Sequence, residues 1–209
     1  SRNAMGTGPF KLVSFEPGVK MLHTRNPTWW GLAEKRFEGN IETLEYRPIT
    51  ADATRMAALK SGEVDLVLDP SPQDISRLKE DRDLKVWEGD EYRIISIALD
   101  QARDELLYAD VKGKNPSKDR RVRQAMYQAI DANAIKVQVM RGLATPTGIL
   151  TPNPKGEGIP ASLDKRLPYN TEAAKKLLAE AGYPNGFGFT LHCPNDRYIN
   201  DEKICVALA

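Results

Sequence analysis

Apolar residues interspersed with polar ones make residues 10–15 and 19–25 two β-rich runs, which flank Glu16-Pro17-Gly18. Proline presets φ and glycine accepts a positive φ, so the pattern predicts a β-hairpin closed at that turn. Asn26-Pro27 breaks the second run, and Trp29-Trp30-Gly31 sets two large rings beside another turn signal. Residues 41–48 predict a further extended segment, although neither of its faces is cleanly apolar. Met56, Leu59 and Lys60 stand at helical spacing within residues 51–61, and Gly62 follows as a left-handed stop, which predicts a helix.

The same reading predicts a short buried strand over residues 64–68, closed by Asp69-Pro70, and a helix from Ser71 with Pro72 in its first turn. Residues 84–87 and 92–99 predict further strands, the second placing Ile95, Ile97 and Leu99 on one face. Strands alternating with helices favour an α/β fold. Residues 100–118 then turn polar around Gly113 and Pro116, which places the main boundary there: 1–103 as part of a first lobe, 104–209 as the N-terminal part of a second.

Beyond the boundary, Val122, Ala125, Met126, Ala129 and Ile130 form the apolar stripe of one helix, and residues 132–140 predict another. The basic residues of 118–123 read most simply as a solvated face. Residues 142–160 are a long Pro- and Gly-rich loop. Asn170 caps a helix that turns Ala173, Ala174, Leu177, Leu178 and Ala181 inward and ends at Gly182-Tyr183-Pro184. Residues 187–192 predict a strand, 194–200 a polar loop, and 201–209 an amphipathic helix.

Charge narrows the field of partners. With 30 Lys+Arg against 29 Asp+Glu and no run of five or six like charges, the footprint of a nucleic-acid binder is missing. No apolar stretch reaches the roughly 18 residues of a spanning helix. No leader segment opens the chain, which leaves the compartment undecided because a mature protein has lost its signal peptide. Cys193 and Cys205 admit two readings. Either they form a bridge in an oxidising compartment, closing a short loop that contributes about 3 kcal/mol on the chain-entropy view, or they are two buried thiols.

Candidate chemistry is sparse. Gly6-Thr7-Gly8 lacks the third glycine of a dinucleotide fingerprint and no GK[ST] follows, so no cofactor is expected. His23 and His192 each sit in a predicted strand without a triad or metal partner, which reads as packing. Neither a nucleophile elbow nor a metal-ligand spacing occurs. The loop 193–200 differs, because a strand end there delivers Arg197 and Tyr198 among amides and carboxyls. An arginine fork fits a carboxylate and a tyrosine offers an aromatic wall with a hydroxyl tip, which together suit a zwitterionic ligand. The bland reading is a surface loop in which Arg197 pairs with Asp196 or Asp201.

Gly6-Thr7-Gly8-Pro9-Phe10-Lys11, followed by Arg25-Asn26-Pro27-Thr28-Trp29-Trp30-Gly31, resembles the GTGPF…RNPxYWG segment of extracellular solute-binding protein family 5, which includes dipeptide- and oligopeptide-binding proteins. The similarity continues through Leu59-Lys60-Ser61-Gly62-Glu63-Val64-Asp65, through Asp119-Arg120-Arg121-Val122-Arg123-Gln124-Ala125 with Ala129-Ile130-Asp131, and through residues 173–182.

The resemblance implies a two-lobed periplasmic-binding-protein-like fold of type II, incomplete here at both ends. It closes on a peptide or peptide-like solute and hands it to ABC permease subunits at the membrane. It also implies binding without chemistry, a periplasmic location and a monomer, with the hinge near residues 99–104. By position, Arg197 would meet the ligand carboxylate with Tyr198 beside it, and Asn195, Asp196 and Asn200 follow as weaker ligand contacts. This sequence lacks the proline that dipeptide binders place between the Arg and the Tyr. The alternatives are a hydrolase of peptides or glycosides, which needs a perturbed carboxylate or activated nucleophile, and a sensor or chaperone-like module on the same fold.

Overall fold

The computed structural model describes residues 4–34, 40–153, 155–195 and 197–209. They divide into two compact units, Ser1–Val67 and Leu68–Ala209.

The first unit is built on the expected hairpin. Strand β1 (Phe10–Glu16) pairs antiparallel with β2 (Lys20–Arg25), with Gly18 at φ +74° in the connecting turn. The register slips between Leu12 and Ser14, where the ladder takes up one extra residue. The extended run expected over residues 41–48 forms β3 (Thr43–Tyr46), which pairs antiparallel with the free side of β2 so that Met21 faces Tyr46. The sheet order is therefore β1-β2-β3.

After β2 the chain turns through Asn26, whose side-chain oxygen accepts the Thr28 N–H at 3.2 Å and the Thr28 hydroxyl at 3.0 Å. The short helix α1 (Trp30–Ala33) follows. Trp29 and Trp30 pack with ring centroids 5.5 Å apart, and a Cβ on Gly31 would come within 2.4 Å of the Trp29 ring. The Trp-Trp-Gly run is thus one packing unit: the glycine is there because the indole occupies the space a side chain would need. Helix α2 (Asp52–Ser61) ends as expected at Gly62, φ +74°, where the Gly62 and Glu63 N–H groups return to the Leu59 and Ala58 carbonyls.

In the second unit, α3 (Ile75–Glu80) starts later than the predicted Ser71, after a turn closed by the Asp74 N–H on the Ser71 carbonyl. Helices α4 (Arg120–Ala129) and α6 (Thr171–Glu180) pack against each other and bury Val122, Ala125 and Ala174. Both have side-chain caps. The Asp119 carboxylate accepts the Arg121 N–H at 2.8 Å, and Asn170 Oδ1 accepts the Ala173 N–H at 2.9 Å. Arg121 also reaches the Glu180 carbonyl at 2.7 Å, placing a cation at the C-terminal end of α6. The helix expected over residues 132–140 is present, but only α5 (Ala132–Ala134) has α geometry, and Ile135–Val139 is wound as a π-turn.

Three predicted strands are corrected. Residues 64–68, 84–87 and 92–99 run without strand pairing, and Leu66, Leu68 and Trp87 are exposed. A fourth, 187–192, contracts to a single bridge between Phe189 and Ala109. Alternating apolar positions define the two faces of a strand, but a strand exists only when its N–H and C=O groups find a ladder partner. Among the described residues these segments find none. The fold is mixed helix and sheet, and the one sheet among the described residues is antiparallel.

Candidate functional site

The loop that carries the candidate residues lies inside a closed ring. Cys193 and Cys205 are disulfide-bonded across 12 positions, with Cα atoms 6.4 Å apart, so the bridge joins the loop to the body of α7 (Asp201–Leu208). Of the two cysteine readings, the bridge is the one realised.

Asp201 opens α7 and organises the loop before it. Its carboxylate accepts the backbone N–H groups of Arg197 at 2.9 Å and Tyr198 at 3.0 Å on one oxygen, and of Glu202 at 2.8 Å on the other. The residue is 5% exposed. Burial by itself pushes this carboxyl up, but the Tyr198, Arg197 and Glu202 N–H groups outweigh it and hold the group below the ordinary aspartate range. In place of the side-chain pairing expected between Arg197 and Asp201, the carboxylate takes the Arg197 backbone N–H, and the Arg197 guanidinium meets no carboxylate among the described residues.

Asn200 adopts φ +56° and is tied down through its side chain. Its amide donates to the Val139 carbonyl at 2.9 Å and to Gln73 Oε1 at 3.3 Å. The Lys203 ammonium bridges the same pair, 3.1 Å from Gln73 Oε1 and 3.3 Å from Asn200 Oδ1. Ser71 donates to that Gln73 oxygen at 2.6 Å. The loop is thus braced to the turn before α3 and to the end of the π-turn.

What remains for a ligand is Arg197 and Tyr198. Arg197 is exposed and its guanidinium sits over the Tyr198 ring, 5.2 Å from the centroid. A second guanidinium, that of Arg93, lies over the same ring at 5.0 Å. Arg93 pairs with Glu91 at 2.5 Å, both partly exposed. Asn195 is exposed, and Asp196 lies outside the described residues. Sequence reasoning brought together Arg197 and Tyr198 but missed Arg93 and Gln73, and it read Asp201 only as a surface ion-pair partner. The available signal for Asp201 was its place at the first position of a predicted helix, three residues after Tyr198, where a carboxylate reaches back to free N–H groups.

Other features of the second unit carry no recognised chemistry. One open concavity of about 400 Å³ is lined by Arg120, Arg123, Tyr127 and Lys165, and another of about 250 Å³ lies between the Ile135–Val139 turn and the end of α7. His192 packs edge-on to Tyr108 at 5.2 Å. Among the described residues no three His, Cys, Asp or Glu side chains gather as for a metal ion, and no helix is long and apolar enough to cross a membrane.

The family described as bacterial extracellular solute-binding proteins, family 5, middle region, matches residues 1–209. Heme-binding protein A of Haemophilus influenzae is 30% identical over 185 residues, covering 88% of this chain and 30% of that protein. The dipeptide-binding protein of Escherichia coli is 30% identical over 190 residues, covering 90% of this chain and 32% of its own length. Among solved structures, the dipeptide-binding protein of Pseudoalteromonas sp. SM9913 in complex with Met-Leu is 26% identical with a TM-score of 0.66, covering 87% of this chain and 32% of that one. The chain spans about a third of the length of these relatives.

Proposed function

The chain belongs to family 5 of the bacterial extracellular solute-binding proteins, and we propose that it is part of the substrate-binding component of an ABC importer that captures a peptide or peptide-like solute between two lobes. On this reading residues 1–103 contribute to the first lobe and residues 104–209 open the second. The compact units of this chain divide elsewhere, at Val67/Leu68. The family and its relatives are binding proteins, so the proposed role is capture and delivery to permease subunits without turnover. A periplasmic monomer is the form we propose.

The observation that carries the reading is the braced loop 193–200. It offers Arg197 with a guanidinium that meets no carboxylate among the described residues, beside a half-buried aromatic ring. That is what a ligand carboxylate requires: a planar fork of donors, already positioned, with an apolar wall to exclude water on one side. Asn195 is a candidate for an additional polar contact. Asn200 supports the loop in this reading, because its amide is already committed to Val139 and Gln73.

The test is calorimetry with a dipeptide library on a form that spans the full length of its relatives. Arg197→Ala weakens binding by about 2–5 kcal/mol if a buried carboxylate loses its partner. Unchanged affinity for every bound peptide returns Arg197 to the surface and defeats the site.

A further inference from the structure

We propose that Arg93 is a second anion-receiving group of this site, and that Arg93 and Arg197 together select a solute carrying two acidic groups over one carrying a single carboxylate. The inference rests on the peptide-capture reading above and concerns what that reading leaves open, the class of solute.

The two guanidiniums share one aromatic face-bearing side chain. Each lies about 5 Å from the centre of the Tyr198 ring, so their charges are separated by at most about twice that distance. The screening length at physiological salt is about 8 Å, so one small solute feels both charges. Cation–π attraction holds each guanidinium near the ring without using its edge donors, one of which on Arg93 meets the exposed Glu91 carboxylate. Two positive charges held this close on one ring repel, an effect the exposed Glu91 offsets only in part, and a ligand with two acids relieves that repulsion where a ligand with one relieves only part of it.

Arg93 is placed, not dangling. The residue before it, Tyr92, donates its hydroxyl to Glu157, and the Arg93 backbone N–H donates to the Glu91 carbonyl at 2.8 Å. Among the described residues the carboxylate partner of Arg93 is Glu91, two residues away. That pair is open to solvent on both sides and screened accordingly, so a ligand acid exchanges with Glu91 at small cost. Arg197 has no carboxylate among the described residues, and the Asp201 carboxylate is consumed by three backbone N–H groups. Among the described residues, Arg197 is therefore the guanidinium of this pair that meets no carboxylate, and Arg93 the one whose carboxylate is solvent-exposed. An extended peptide advances about 3.3–3.6 Å per residue, so acids on the same residue or up to about three residues apart reach both forks.

Ala-Glu and Ala-Gln provide the probes, since they match in shape and differ by one charge. Calorimetry is done on a form spanning the full length of its relatives. The expected result is that Ala-Glu binds about tenfold more tightly than Ala-Gln, a factor that one screened charge contact supplies. Arg93→Gln abolishes that ratio and leaves Ala-Gln within about twofold of the parent, as a lost single-charge contact requires. Glu91→Gln, which frees the Arg93 fork, increases the ratio. Equal affinity for the two dipeptides in the parent protein, or equal loss of both in Arg93→Gln, overturns the proposal. Binding that depends on Arg197 but not on Arg93 overturns it alone, whereas failure of both dipeptides to bind overturns the peptide reading and this inference with it.

Discussion

Asp201→Asn preserves the size of the side chain at the start of α7 but removes its charge and one of its two acceptors. One carboxylate oxygen now serves the Arg197 and Tyr198 N–H groups, at 2.9 and 3.0 Å, and the other serves Glu202 at 2.8 Å. An asparagine turns its single oxygen to one set and presents an NH₂ to the other. Hydrogen bonds to a charged acceptor contribute about 1.5–3 kcal/mol each, and a buried N–H left without a partner costs about 1–3 kcal/mol. With the residue 5% exposed, water does not readily substitute, and the loop loses about 3 kcal/mol on that scale. Protection against hydrogen exchange reads this directly. At about 1.4 kcal/mol per tenfold, the Arg197 and Tyr198 amides lose about 100-fold in protection factor. Amides in α4 and in the β1–β2 ladder are unchanged. The pH dependence follows from the sign of the shift. The folded carboxyl is held below its unfolded value, so its contribution is complete above the ordinary aspartate range. It is lost as pH falls through the depressed folded value. The parent loop therefore loses protection in acid, and the Asn variant shows no such step. Protection factors within about threefold of the parent, less than a single hydrogen bond's worth, or an acid step that survives in the variant, refute the assignment of Asp201 as the organiser of the loop.

Two further outcomes test the frame around the site. Reducing Cys193–Cys205 opens a ring of 12 positions and removes about 3 kcal/mol on the chain-entropy account; the urea midpoint of the second unit falls and solute affinity weakens, and a Cys193→Ser/Cys205→Ser variant is indifferent to reductant. Gly62→Ala meets no steric obstacle but must hold φ at +74°, so it costs about 1 kcal/mol in chemical denaturation, and a neutral result shows that the end of α2 reshapes freely.

The elements legible from sequence are those whose signals are local. The hairpin is set by two β-rich runs around Glu16-Pro17-Gly18, and α4 and α6 by their apolar periods, that of α6 beginning just after the capping Asn170. The runs 64–68, 84–87 and 92–99 carry equally good strand patterns, yet a strand needs a partner, and no residue within the run specifies one. The same limit governs the site. Arg197 and Tyr198 were visible because both lie in one loop of a recognisable segment. The commitment of Asn200 was not, because Gln73 stands 127 positions earlier and nothing about a lone glutamine announces a brace. Arg93 was hidden for the same reason, inside a run that reads as an ordinary strand.

The division of polar groups within the loop has a consequence for how any loss of affinity is interpreted. Asn200 and Asp201 spend their hydrogen-bonding capacity on Val139, Gln73 and the loop backbone, so the ordering entropy of residues 197–200 is met during folding and not during binding. Removing either support lowers the fraction of molecules in which the loop is competent, and apparent affinity falls by that fraction for every solute alike. Removing a contact residue acts differently. It changes affinity in proportion to what the solute presents at that point, so its effect depends on the charge of the solute. Affinity for a single ligand cannot separate the two cases, and the ratio of two ligands can. Asn200→Ala and Asp201→Asn lower Ala-Glu and Ala-Gln together and preserve their ratio, while a substitution at Arg93 changes the ratio. A variant at Asn200 that alters the ratio would place its amide on the solute, against the hydrogen bonds that hold it.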